Sequence, residues 1–177
     1  DERDARRLFH GRGKSIPSLD WLVLNYYRPL LEIIFYDDPG EAWLQGFTKA
    51  IFEVSPSEEA LSCIVLQRRY LRKTTSEVLW GVKPECPMAY EDGLQFHLNL
   101  DVQNIGFFLD MREGRKWCRQ HANDANILNL FSFTCAFSVV AMEAGANSVV
   151  NIDMHKPSLA VGRENHRINN LDTRGIH

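Results

Sequence analysis

The sequence predicts an α/β protein in two parts. A small mixed α+β domain is expected over residues 1–105, and the first βαβα units of a doubly wound parallel sheet over 106–177. Three observations carry this. Short runs rich in β-branched and aromatic residues crowd the first half. A strand-helix-strand-helix rhythm with apolar strands fills the end. The change between the two patterns falls near Gly106–Asp110. The chain has 177 residues, 45% hydrophobic and 24% charged, which is the balance of a globular protein and argues against long disorder.

Trp21–Tyr27 and Leu30–Tyr36 read as strands split by Arg28-Pro29, and Asp37-Asp38-Pro39-Gly40 closes the second. Over Glu41–Val54, Trp43, Phe47, Ala50, Ile51 and Val54 recur at spacings of three and four, which predicts a helix. Ser62–Leu66 is a third strand and Val78–Val82 a weaker fourth. Pro84-Glu85-Cys86-Pro87 reads as a linker, and Leu94–Leu100 alternates apolar and polar like a half-buried strand. Beyond the break, Arg112–His121 reads as a helix and Ala125–Phe131 as a buried strand. A helix of small residues over Ala136–Ala144 is stopped by Gly145. Ser148–Asp153 is a second buried strand, and Lys156–Asn169 a helix with Pro157 in its first turn.

Composition narrows the chemistry. The apolar runs fall far short of the roughly 18–20 residues that span a bilayer, and no signal peptide or membrane partner is expected. Cys63, Cys86, Cys118 and Cys135 are too widely spaced for a zinc knuckle or redox dithiol, so reduced thiols, a cytoplasmic location and no metal are expected. The net charge of −3 hides an asymmetry: Asp20–Leu66 carries eight acids against two bases. Bases cluster at Arg3, Arg6, Arg7, Arg12 and Lys14, at Arg68, Arg69, Arg72 and Lys73, and at Arg112, Arg115, Lys116 and Arg119. Folding could assemble a basic stripe from them, although each alone reads more simply as a solvated face.

The loop after the first parallel strand, Ser132, Phe133, Thr134, Cys135 and Ala136, lies where such sheets bind ligands. Its backbone N–H groups and the following helix N-terminus suit a carboxylate or phosphate. Asp153 ends the next strand, placed to accept hydrogen bonds from both hydroxyls of a ribose. This suits a nucleoside-containing cofactor, and the absent GxGxxG loop argues against NAD.

The stretch Gly106-Phe107-Phe108-Leu109-Asp110-Met111-Arg112 with Arg115, then Leu128-Asn129-Leu130-Phe131-Ser132-Phe133-Thr134-Cys135-Ala136-Phe137-Ser138 and Asp153, resembles class I S-adenosylmethionine-dependent methyltransferases with a Rossmann-like sheet. The subgroup is the bacterial enzymes similar to those that methylate cytosine C5 or guanine in large-subunit ribosomal RNA. A weaker likeness, through Leu8-Phe9-His10-Gly11-Arg12-Gly13, makes the first part look like their accessory domain, where RNA contact is an option; His10-Gly11-Arg12-Gly13 could contact a phosphate, although a plain loop is the simpler reading. The resemblance implies S-adenosyl-L-methionine as cofactor. Asp153 would hold its ribose and Met154 flank its adenine. Asn129, Phe131, Ser132, Thr134, Cys135, Ala136, Phe137 and Ser138 would line the methionine end, and Asp110 and Arg112 lie over it. Relatives commonly carry Gly-Gly where Cys135-Ala136 stands, and a Cβ there hinders close approach or positive φ. Cys86 has no evident activating neighbour for attack on a base. The Pro-Pro catalytic loop of relatives does not occur, since the seven prolines are never adjacent. The expectation is therefore an N-terminal part of a longer enzyme, or pieces completed across chains of a homo-oligomer, with RNA as substrate and catalytic residues unassigned. A non-catalytic RNA-binding or assembly module with the same fold is the alternative.

Overall fold

The computed structural model describes residues 2–14, 16–54, 57, 59–72 and 76–174. It divides into two compact units. The first comprises Glu2–Pro87 with Leu100–Ile105, and the second Met88–Asn99 with Gly106 onward.

The first unit is a five-stranded sheet of β1 (Arg6–His10), β2 (Leu22–Tyr27), β3 (Leu30–Phe35), β4 (Cys63–Arg68) and β5 (Ser76–Gly81), in that order. Only β3 and β4 run parallel, because the helix α1 (Glu41–Val54) connects them as a crossover. One sheet face, with Leu22, Leu31, Ile33, Phe35, Ile64 and Leu66, packs on Leu44 of α1, while Trp43, Phe47 and Ile51 flank the cluster. The expected helix is reproduced end for end.

β1 is a strand that periodicity did not predict. It is a short edge strand whose outward positions Arg6, Leu8 and His10 break the apolar pattern. Its Arg7 donates to Asn25 Oδ1 at 3.1 Å, and Asn25 donates to Glu32 Oε2 at 2.8 Å. Glu32 is buried at the centre of β3, with Oε1 lacking a hydrogen-bond partner. Burial raises its pKa above the usual carboxylate range.

The boundary expected at Gly106 differs from this division. Leu94–Leu100 is not an extra strand of the first domain. β6 (Met88–Glu91) and β7 (Leu94–His97) form a hairpin belonging to the second unit. Asp92 and Gly93 both have positive φ, 49° and 86°, as a tight two-residue turn requires. Asn169 accepts from the Gln95 N–H at 3.0 Å and donates to its carbonyl at 2.8 Å, as a neighbouring strand would.

The second unit continues with α2 (Arg112–His121), β8 (Asn126–Leu130), α3 (Ala136–Glu143), β9 (Ser148–Ile152) and α4 (Lys156–Ile168). β8 and β9 pair in parallel from Asn126↔Ser148 to Leu130↔Ile152. Both read as buried strands, but two strands with their helices cannot cover both faces of a sheet, and the structure covers them on one. Ile127 and Val149 pack with Ala122, Ala141 and Ala146, while Leu128, Leu130, Val150 and Ile152 are exposed. Within this chain, helices α2 and α3 supply cover on one side of a run composed for two.

Candidate functional site

The second unit places a shaped loop at the carboxyl ends of its parallel strands. The Ser132 N–H reaches the Ile152 carbonyl at 3.1 Å, extending the ladder one step beyond β8. The chain then winds tightly, with positive φ at Phe131 (54°), Phe133 (48°) and Cys135 (60°). Left-handed backbone is unfavourable for residues with a Cβ, so three in alternation need outside support. Asp153, just past β9, supplies some of it: Oδ2 accepts the Phe133 N–H at 2.8 Å and Oδ1 the His155 N–H at 2.8 Å. Those bonds, the one from His155 foremost, hold its carboxyl below the usual range, so it is ionised at neutral pH. A carboxylate has about four acceptor positions, so capacity remains for a ligand's hydroxyls.

Further support comes from helix α4. Asn165 donates through Nδ2 to the Thr134 carbonyl at 2.9 Å and accepts the His97 N–H at 2.8 Å. Thr134 Oγ1 donates to the Gly106 carbonyl at 2.6 Å. Gly162 allows close approach, because a Cβ there would come within 2.5 Å of Cys135 Sγ. Cys135 is fully buried, and burial pushes its thiol up to about 11, so it packs as a neutral group. It caps the start of α3 in left-handed conformation, the conformation glycine adopts without strain.

Beneath the loop runs a directional polar chain. Asn129 donates to Asn151 Oδ1 (2.9 Å), Asn151 to Ser138 Oγ (2.9 Å), and Ser138 to His166 Nε2 (2.8 Å). His166 Nδ1 donates to the Gly162 carbonyl at 2.8 Å, which requires the proton on Nδ1. Burial lowers the His166 pKa, keeping the ring neutral.

The residues singled out in the sequence thus divide. Phe131, Ser132, Phe133, Asp153 and Met154 gather at the strand ends, with Phe131 89% and Met154 97% exposed. Thr134, Cys135 and Ser138 lie there too, but their side chains are committed inward, leaving the backbone to face a ligand. Asn129 points to Asn151, and the Phe137 ring lies against Gly114 of α2. Ala136 begins α3. Arg112 pairs with Asp92 at 3.3 Å, and Asp110 is exposed. The organising arginine is Arg115, fully buried, with bonds of 2.6 and 2.8 Å to Glu91 and one of 2.8 Å to the Phe108 carbonyl. Its guanidinium carbon lies 4.2 Å from the Phe107 ring centroid. Glu91, Asn151, Gly162, Asn165 and His166 escaped sequence reasoning. The one available signal was Asp92-Gly93, which marks a hairpin beside Glu91.

This arrangement fits the cofactor that the resemblance implies. Its elements are an ionised carboxylate with spare acceptor capacity at one strand end, a tight loop with backbone available at the other, and a buried Ser132 hydroxyl with no hydrogen-bond partner among the described residues. The comparisons agree. A ribosomal RNA large subunit methyltransferase I from Alteromonas mediterranea is 35% identical over 158 residues, covering 88% of this chain and 40% of the relative. A Streptococcus mutans protein described as a SAM-dependent methyltransferase superposes with TM-score 0.84 at 26% identity, over 99% of this chain and 45% of that one. A methyltransferase complexed with SAH superposes with TM-score 0.85 at 26% identity, over the same shares. The chain spans about two fifths of the length of the curated relatives it matches. These superpositions bear out the mixed α/β, Rossmann-like fold. The model of the S-adenosylmethionine-dependent methyltransferases matches residues 6–176, nearly the whole sequence, and the chain belongs to that family.

Proposed function

We propose that this chain supplies the cofactor-holding part of a methyltransferase that acts on a base of ribosomal RNA. The observation that carries the reading is the pairing of Asp153 with the Phe131–Cys135 loop. Asp153 would accept from the ribose hydroxyls while its existing backbone bonds keep it charged and oriented. The loop backbone and the start of α3 would receive the methionine carboxylate, and exposed Met154 would flank the adenine. S-adenosylmethionine supplies an electrophilic methyl group on a sulfonium. The chain's contribution is proximity and orientation, through a loop whose shape is set before binding by Asn165, Gly162 and Asp153. Arg115 fixes the stretch Phe107–Phe108 beside it, where the Phe108 and Phe133 rings lie 5.2 Å apart. A base paired in its RNA would have to be splayed out to reach the methyl group.

No helix among the described residues is long and apolar enough to cross a membrane. Location in the cytoplasm, with the cysteines as free thiols, belongs to the same proposal. Calorimetric titration of S-adenosylmethionine and S-adenosylhomocysteine into the chain tests it, with NAD as control. Saturable binding of either, without NAD binding, is expected. Failure of both to bind would contradict the reading.

A further inference from the structure

The glycine-flanked Arg12 serves neither the cofactor loop nor a core. The pairings His10↔Val23, Leu22↔Phe35 and Phe35↔Arg68 bring the ends of β1, β3 and β4 to one end of the first unit's sheet. There Gly11–Gly13 makes a single 3-10 turn, closed by the Lys14 N–H on the Gly11 carbonyl at 2.7 Å. A Cβ on Gly11 would overlap the Leu19 carbonyl oxygen, so only glycine lets the turn press against that backbone. Arg12 is projected across Tyr36, its guanidinium carbon 4.2 Å from the ring centroid. Tyr36 is fixed in turn, because its hydroxyl accepts from Arg69 Nη1 at 3.1 Å. Arg69 also donates to Gln67 Oε1 at 3.1 Å and to the Gln103 carbonyl at 2.6 Å. A line of contacts therefore runs from buried Gln67 to exposed Arg12, whose guanidinium has no acceptor among the described residues. Beside Tyr36 in sequence, Asp37 accepts the Asp38 N–H and Asp38 the Gly40 N–H. Arg68 is paired with Glu77.

We propose that Arg12, held over the ring of Tyr36, is a contact for single-stranded RNA. The assignment rests on the RNA substrate proposed above and names the surface of the first unit that would meet it. A guanidinium laid on an aromatic ring keeps its fork of donors along one edge, matched to a phosphate, and offers its outer face to a base. The stack also removes beforehand much of the rotamer freedom that binding would otherwise have to freeze. An acidic peptide would use the donors but leave the outer face idle.

The test is fluorescence anisotropy of a labelled single-stranded oligoribonucleotide of about twelve nucleotides, titrated with the 177-residue chain. Arg12→Ala should weaken binding about tenfold, or 1.4 kcal/mol, and lower the slope of log affinity against log salt by about 0.7. Arg12→Lys should restore the slope but only part of the affinity. Lys49→Ala, on exposed helix α1, should change neither, and circular dichroism should show every variant folded. S-adenosylhomocysteine titrations should be unaltered throughout. The proposal is overturned if the parent chain fails to bind the RNA, or if Arg12→Ala loses no more than Lys49→Ala. Displacement of the RNA by polyglutamate as readily as by unlabelled RNA would overturn it too, in favour of an acidic protein partner. A chain that fails to bind S-adenosylhomocysteine yet shows the Arg12 dependence would end the cofactor reading and leave this one standing.

Discussion

The two units handle apolar strands differently. In the first, β3 buries all six residues, Glu32 among them, and β4 buries five of its six. In the second, β8 and β9 are each apolar at three of five positions and shield only alternate ones, leaving Leu128 60% exposed. A continuous apolar run is a sequence record of cover on both faces. The first unit's central strands find that cover within the described chain, and the second unit's strands find half of it. Stability should therefore rest unequally on the two sheets. The second unit compensates with polar locks: the Glu91–Arg115 pair, Asn165 of α4 with Asn169 just past its end, and the chain ending at His166.

The comparison sharpens first at the largest lock. Glu91→Ala leaves Arg115 charged and buried without its partner, which should cost about 3–5 kcal/mol in urea unfolding. A loss near zero would mean that the hairpin does not depend on the pair. Next comes the apolar contrast. Ile33→Ala, fully buried on α1's side, should cost about 2–4 kcal/mol, whereas Leu128→Ala should stay within about 0.5 kcal/mol. Equal losses would contradict the one-sided cover of β8.

Smaller effects probe the loop and the buried acid. Cys135→Gly relieves about 1 kcal/mol of left-handed strain but empties a packed site beside Leu159. Stability should thus change little, and S-adenosylhomocysteine affinity should hold or improve. A marked fall in affinity would show that the sulfur shapes the ligand's path. For Glu32, the folded pKa lies above the unfolded one. Its ionisation therefore destabilises the fold as pH rises from the ordinary carboxylate range through the raised value. Glu32→Gln should abolish that decline, and parallel pH profiles of the two proteins would show that Glu32 titrates normally.

Much of this was legible in the sequence, and the failures share a cause. Helices α1 and α2 appear with their expected ends because their periodicity is local. The loop and Asp153 were legible for a similar reason, since strand ends can be located and an acid just past one is conspicuous. What stayed hidden were polar residues whose meaning depends on distant partners. Glu91 reads as a solvated turn residue until Arg115, twenty-four positions on, is brought to it. Asn165 and His166 are polar, yet they lie on the buried side of α4. Periodicity does not mark β1, because an edge strand tolerates arginine and histidine outward, and β6 is marked only by the turn at Asp92-Gly93. Arg112 and Arg115 stand in the same motif, and only burial separates them.

The account's central claim is that the Phe131–Cys135 loop and Asp153 form one cradle for the cofactor. Calorimetric titration of S-adenosylhomocysteine into the parent chain and the Asp153→Ala variant tests it most directly. The variant should bind more than about tenfold more weakly, a loss of roughly 1.4 kcal/mol or more, with the fold retained by circular dichroism. An unchanged affinity would remove Asp153 from the site and contradict the claim.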